Sequence, residues 1–293
     1  MESFKKISNV VFGLKRLNIK KNDLVLEVGS GNNPHFRADV ICDKYIGDDV
    51  ERGENTIIID RPFVCCDACK IPFKDNTFDY VICRHLIEHL DNPETLINEL
   101  MRVGKRGYIE APNELWERLF GRKFHKWFIN VENNKLILKP KKKVTEAKVY
   151  HNFQKLCDTD KYFNKFYNNN IKLFHVIYEW DKKIAYEIKG KLGKTRKQND
   201  IKQTPNPKKT RLYLLPIKHK LLFIIRSLLY YIYRKKGAMD IFTLLACPQC
   251  KCNLNRNKSL TCPQCKSRFN IRNNIPIMLN KQKFINKLKW SIK

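Results

Sequence analysis

Two Cys-Pro-Gln-Cys tetrapeptides, Cys247–Cys250 and Cys262–Cys265, stand eleven residues apart. Each Cys-x-x-Cys turn can bring two thiolates to one point, with backbone N–H groups aimed at the sulfurs. Four thiolates at about 2.3 Å make a closed tetrahedral zinc site. Cys247, Cys250, Cys262 and Cys265 are the expected ligands, iron is the alternative metal, and Cys252 is spare. A site with no open position is structural, so residues 240–280 should lose their fold without metal. A second group of residues lies near the other end. Glu27 ends an apolar run and is followed by Gly29 and Gly31, which let backbone approach a ligand closely. The run does not continue as G-x-G-x-x-G, which argues against a pyrophosphate cradle. Asp43 follows Glu27 by sixteen residues, where an acid can accept two hydrogen bonds from a ribose diol. Asp67 is a further acid, either a ligand contact or a loop cap. Three histidines, His85, His89 and His125, could take a proton near neutral pH, or simply pack. Cys65, Cys66 and Cys69 have no second pair nearby and read as buried thiols.

Elements must hold these residues in place. Short apolar runs predict strands at 24–28, 39–46, 62–66, 78–83 and 107–112. A helix is predicted from about Asn92 to Val103, with Asp91 as N-cap and Pro93 at the first helical position. Strands alternating with helices argue for a parallel α/β sheet. Residues 1–22 read as a lead-in helix. Residues 125–139 read as a hairpin around Glu132–Asn134, and 173–188 as another turning at Trp180–Lys183. Between them, 140–170 is Lys- and Asn-rich with weak periodicity. Residues 189–212 read as a flexible linker and 213–236 as a basic amphipathic or apolar helix.

Taken in order, the EVGSG loop, the strand ending at Asp43, DACKIPF and FDYVICRHLIEHL with its following helix and strand resemble the class I S-adenosylmethionine-dependent methyltransferases of the type 11 branch. The resemblance covers about residues 20–131. It implies an α/β, Rossmann-like seven-stranded sheet with the methyl donor across the carboxyl ends of the strands. It places Glu27, Gly29 and Gly31 around the donor's methionine part and Asp43 on the ribose hydroxyls. Asp67 would meet the adenine amino group with Ala68 beside it, and Arg84 and His85 would line the floor near the sulfonium. The donor carries no phosphate, which agrees with the missing third glycine. Residues 241–279 resemble the small zinc-ribbon proteins that partner and activate methyltransferases acting on tRNA and release factors. Fusion of such a ribbon to a methyltransferase implies docking in cis.

Charge divides the chain. Residues 1–134 hold 20 Lys/Arg and 21 Asp/Glu, whereas residues 135–293 hold 38 and 8. The second half therefore meets an anionic partner or stays heavily solvated. RNA is one such partner, and an anionic membrane surface touched by 213–236 is another. The longest apolar run, Leu221 to Tyr233, carries Arg226 and falls short of the ~20 residues that span a bilayer. The N-terminal stretch has no apolar core followed by a cleavage site, and thiol pairs suggest a reducing compartment, so a cytoplasmic location is expected. No Asn-Pro-Pro-Tyr/Phe tetrapeptide follows the fourth strand, where amino-methylating relatives carry it, and no Pro-Cys nucleophile pair is present. O-methylation of a small or glycan-like acceptor is the expected activity, because type 11 enzymes with a following hairpin and ribbon resemble those of surface-polysaccharide pathways. A tRNA or rRNA methyltransferase and a non-catalytic scaffold are the alternatives. The expected organisation is a methyltransferase domain over 1–188, a basic linker and helix over 189–239, and a zinc ribbon over 240–280.

Overall fold

A computed structural model describes residues 14–46, 57–122, 124–141, 147–192, 217–233 and 239–279. The apolar runs of the front half become strands β1 (Val25–Val28), β2 (Val40–Asp43), β3 (Phe63–Cys65) and β4 (Tyr80–Arg84). They are buried almost throughout, as parallel strands covered on both faces must be. Helix α1 (Pro93–Val103) follows, capped by the side chain of Asn92 rather than Asp91. Pro93 at the first helical position leaves only its immediate neighbour able to cap. Next come β5 (Arg106–Pro112) and the short helix α2 (Glu114–Leu119).

The predicted hairpin forms as β6 (Trp127–Glu132) and β7 (Lys135–Pro140). Asn133 and Asn134 turn it at φ 48° and 56°, the left-handed pair that a two-residue hairpin favours. Residues 140–170, read as weakly periodic, contain two helices, α3 (Ala147–Thr159) and α4 (Lys161–Asn169). Their aromatic residues supply the reason. Phe153 and Tyr167 pack on Phe120 at 6.2 and 5.2 Å between ring centroids. The expected hairpin over 173–188 is absent. β8 (His175–Asp181) instead pairs antiparallel with β5 over its whole length, and β9 (Tyr186–Ile188) pairs parallel with β7. The predicted lead-in helix lies partly outside the described residues, and its described part, 14–22, is not helical. Most of the expected linker also lies outside them. Helix α5 (Ile217–Tyr233) falls within the predicted 213–236 segment.

The C-terminal module adds β10 (Asn255–Arg256), β11 (Ser259–Thr261), β12 (Arg268–Arg272) and β13 (Ile275–Ile277). The main sheet runs β10-β11-β12-β13-β3-β2-β1-β4-β5-β8. The Rossmann-like α/β architecture is as expected. Among the described residues this sheet has ten strands rather than seven, six from the front unit and four from the module. β1 is flanked by β2 and β4, both parallel to it. The chain moves outward through β2 and β3, then returns to β4 on the other side. Such a reversal opens a crevice at the carboxyl ends of the strands.

Gly107 shows how tightly β5 is held. A Cβ there would lie 2.2 Å from the Val81 carbonyl oxygen and 2.9 Å from the Trp180 ring. Gly107→Ala is expected to cost about 3 kcal/mol, a fall of about 10 °C in Tm for a protein of this size. A thermal melt matching wild type would refute this packing.

Candidate functional site

The glycine loop sits at the crevice. Gly29 and Gly31 adopt φ 73° and 53°, a region that costs other residues strain. The Gly29 amide donates to the Cys42 carbonyl at 2.8 Å. The Gly31 amide donates to Asp43 Oδ2 at 3.0 Å, and the Tyr45 amide to Oδ1 at 3.1 Å. Asp43 therefore ties the loop after β1 to the end of β2. Glu27 is buried and bound on both oxygens. The His35 amide donates to Oε2 at 2.6 Å, and Arg84 donates to Oε1 through Nε at 3.0 Å and Nη2 at 2.7 Å. Arg84 Nη2 also donates to the Asn33 carbonyl at 2.6 Å. The pair thus clamps the loop from both sides and neutralises the Arg84 charge beside the crevice.

Asp67 follows β3 and accepts from the Cys69 amide at 2.9 Å, capping the short turn Ala68–Lys70. It also pairs with Lys44 at 2.7 Å. Desolvation works against its ionisation, but Lys44 and the Cys69 amide hold its carboxyl below the usual range. Lys44 was not singled out in the sequence, although its place next to Asp43 at a strand end could have drawn attention. Cys65 and Cys66 are buried thiols, as expected, whereas Cys69 is only half-buried, and burial pushes Cys65 up to about 12.

His89 and His125 meet with ring centroids 4.6 Å apart, while the His85 ring, just after β4, lies 5.6 Å from that of His175. His85 has φ 50°, and its amide donates to the Glu110 carbonyl at 2.8 Å. Its ring lies 3.2 Å from Glu110 Oε1 and 3.7 Å from Glu88 Oε1. Desolvation lowers its pKa, but the two carboxylates outweigh that and push it up to about 9. Glu110 is correspondingly held down at about 2, where His85 and Arg84 overcome its burial. The His85 side chain is 49% exposed, against 16% for His89 and 7% for His125, so His85 is the histidine most open to an incoming molecule. Glu88, Glu110 and Glu117 escaped the sequence reading, because nothing local marks a glutamate as buried.

The four predicted cysteines also converge. Cys247 and Cys265 Sγ lie 3.5 Å apart, and Cys250 and Cys262 Sγ 3.4 Å. A tetrahedron of ~2.3 Å zinc–sulfur bonds has edges of about 3.8 Å, so the donor set fits. Both turns are built alike. Lys251 and Lys266 follow their cysteine pairs at φ 60° and 59°, and each amide bonds back to the first cysteine's carbonyl, at 2.9 and 3.1 Å. Cys252 lies 3.4 Å from Cys250 and 3.2 Å from Cys262.

This module docks on the front unit. β13 pairs with β3 at Ile277 and Cys65, and the Met278 amide donates to the Cys65 carbonyl at 2.8 Å. The Ala246 amide donates to the Pro72 carbonyl at 2.9 Å, and Lys74 to Leu244 at 3.1 Å. Ile241, Leu245, Phe269 and Met278 share one apolar core with Ile71 and Phe73. Lys251 reaches Glu99 at 2.8 Å, and Glu99 also holds Arg102 at 2.8 Å. Helix α5 lies beside the glycine loop as well. Arg226 contacts the Asn33 side chain, Tyr230 stacks on Arg61 at 3.9 Å, and Tyr233 meets Phe36 at 5.6 Å.

Residues 26–109 match the family described as "Methyltransferase domain". An uncharacterized protein of Methanocaldococcus jannaschii is 30% identical over 104 residues, 31% of this chain and 40% of that protein. The chain thus spans less than half the length of the curated relative it matches. A SAM-dependent methyltransferase structure from Methanosarcina mazei is 15% identical, covering 39% of this chain and 69% of its own, with a TM-score of 0.28. A chain in the complex between the Haloferax volcanii Trm112 methyltransferase activator and a methyltransferase is 10% identical, covering 62% of this chain and 89% of its own, with a TM-score of 0.34. The family match and the order of the parallel strands agree: residues 26–109 form a Rossmann-like α/β unit similar to the methyltransferase domain family.

Proposed function

We propose that the protein is an S-adenosylmethionine-dependent methyltransferase acting on a hydroxyl oxygen of a small or glycan-like acceptor. The observation that carries this reading is the assembly of Gly29, Gly31, Asp43 and Asp67 at the carboxyl ends of β1, β2 and β3, beside the reversal between β1 and β4. When bound, the donor supplies an electrophilic methyl group on sulfur, and the protein's task is mainly position. Asp43 would accept from the ribose hydroxyls. A carboxylate has about four acceptor sites, so holding two amides does not prevent this. Asp67, with Ala68 beside it, would meet the adenine amino group. Glu27 and Arg84 would hold the loop that receives the methionine part. His85, His89 and His125 would receive the acceptor and its proton. The absence of a third glycine suits a donor without phosphate.

Cys247, Cys250, Cys262 and Cys265 would hold structural zinc, keeping the module shaped to cover β3. Among the described residues, no helix is long and apolar enough to cross a membrane, and we place the reaction in the cytoplasm. A second reading rests on charge: 38 Lys/Arg against 8 Asp/Glu in residues 135–293 would suit an RNA acceptor.

Calorimetric titration of the zinc-loaded protein with S-adenosylmethionine tests the donor. Methyl-labelled donor then tests the acceptor. Label entering a hydroxyl of a glycan or small molecule supports the proposal, and label entering tRNA or rRNA would replace the acceptor class. No donor binding would sink the enzyme reading and leave a methyltransferase-like scaffold.

A further inference from the structure

Glu88 is fully buried, and among the described residues neither of its carboxylate oxygens has a hydrogen-bond partner. Imidazole nitrogens lie close by, His85 Nδ1 at 3.7 Å and His89 Nε2 at 3.9 Å, just beyond hydrogen-bonding range. A buried carboxylate that faces imidazoles at ion-pair distance but accepts no hydrogen bond is left under-satisfied. Such a group in a folded protein calls for a function or an ion.

The surrounding chain is built to converge on it. The Lys126 amide donates to the Glu88 carbonyl at 2.7 Å, and Trp127 Nε1 donates to the Leu90 carbonyl at 2.8 Å. These bonds pin the start of β6 to the turn that carries Glu88 and His89. His125 is thereby set against His89, with ring centroids 4.6 Å apart. One ligand atom from each of Glu88, His89 and His125 lies within 4.8 Å of the others. Behind them, His125 Nδ1 bonds the buried Glu117 carboxylate, whose other oxygen is held by Lys141 Nζ at 2.5 Å. An imidazole that donates its Nδ1–H to a carboxylate is held in the tautomer whose Nε2 lone pair is open to a ligand. This carboxylate–imidazole pairing is the support that metal-bound histidines receive.

We propose that Glu88, His89 and His125 bind one divalent first-row transition ion. Two imidazoles and one carboxylate suit manganese, iron, cobalt or zinc better than the all-oxygen preferences of calcium and magnesium. Three protein ligands leave coordination positions open. Glu88 is shared with His85, the most exposed of the three histidines, and an ion held beside it would offer its open positions to an acceptor. This role rests on the methyl-transfer reading above, with the ion orienting the acceptor's oxygen atoms. Glu117 is a positioning residue that acts through His125.

The test is a titration of the full-length, zinc-loaded protein with Mn2+, read by the loss of the free-ion signal in electron paramagnetic resonance. Manganese does not compete well for a closed four-thiolate site, so uptake reports the second site. One Mn2+ per chain is expected, with affinity at least tenfold weaker in Glu88→Gln and in His125→Gln. Glu117→Gln is expected to weaken it about tenfold with all three ligands present. Glu88→Gln removes a buried charge and is expected to stay folded, which a thermal melt checks. No uptake by wild type, or undiminished uptake by Glu88→Gln, would overturn the site and leave a buried imidazole–carboxylate cluster. A donor titration without Mn2+ runs beside it. Donor binding without Mn2+ uptake sinks only the metal site, and Mn2+ uptake without donor binding sinks only the methyl-transfer reading.

Discussion

Replacing Cys247 and Cys252 together with serine is expected to release the zinc and lower Tm by about 10 °C, whereas Cys252→Ser alone should keep one zinc per chain. The reasoning runs from sulfur to sheet. A structural zinc site contributes folding free energy on the order of 10 kcal/mol in small modules, more than a unit of this size gains from its own core. Cys252 stands within 3.4 Å of two of the four thiols, so a single Cys247→Ser change leaves a substitute ligand at hand, and the double variant removes it. Once the module opens, Ile241, Leu245, Phe269 and Met278 leave the shared core, and β3 loses its partner at Ile277. A loss of a few kcal/mol corresponds to about 10 °C in a chain of this length. Zinc analysis and a melt on the two variants check it. Full zinc content in the double variant would refute the four-thiolate assignment.

Asp43→Ala is expected to weaken S-adenosylmethionine binding on the order of 100-fold, with zinc content unchanged. Two hydrogen bonds to an ionised acceptor contribute roughly 1.5–3 kcal/mol each, and the lower bound of about 3 kcal/mol is a factor of somewhat over 100. The substitution also frees the Gly31 and Tyr45 amides that Asp43 holds at 3.0 and 3.1 Å. Asp43→Asn keeps one acceptor oxygen and should fall between wild type and alanine. Calorimetry on the three proteins decides it. Equal donor affinity in wild type and Asp43→Ala would remove the ribose role.

The parts of the fold that the sequence announced are those fixed by local rules. β1 to β5 are apolar runs bounded by turn residues, and the β6–β7 hairpin is marked by Asn133 and Asn134. The glycine loop and its acids were legible because their spacing follows the strands. Partner choice was not. Residues 175–181 alternate buried and half-buried as a strand should, but their mate is β5, some seventy residues earlier in the chain, rather than the segment just after them. α3 and α4 were missed because Lys and Asn dilute their apolar pattern, and only the aromatic rings of Phe120 and Phe174 reveal what they cover. The histidine cluster was half visible. His85, His89 and His125 stood out, while Glu88, Glu110 and Glu117 acquire their meaning from burial. The ribbon's docking in cis was expected from resemblance, but the strand it would seek could not be read from it.

The junction of β13 with β3 has a consequence for the making of the protein. Cys65 and its partner Ile277 are 212 residues apart. At 5–20 residues per second, the ribosome takes roughly 10–40 s to travel between them. Throughout that time the outer edge of β3 has no strand beside it. Closing so long a stretch of chain slows the final step further, since distant pairings form late. The newborn chain therefore waits, sheet unfinished, for the module that carries β13.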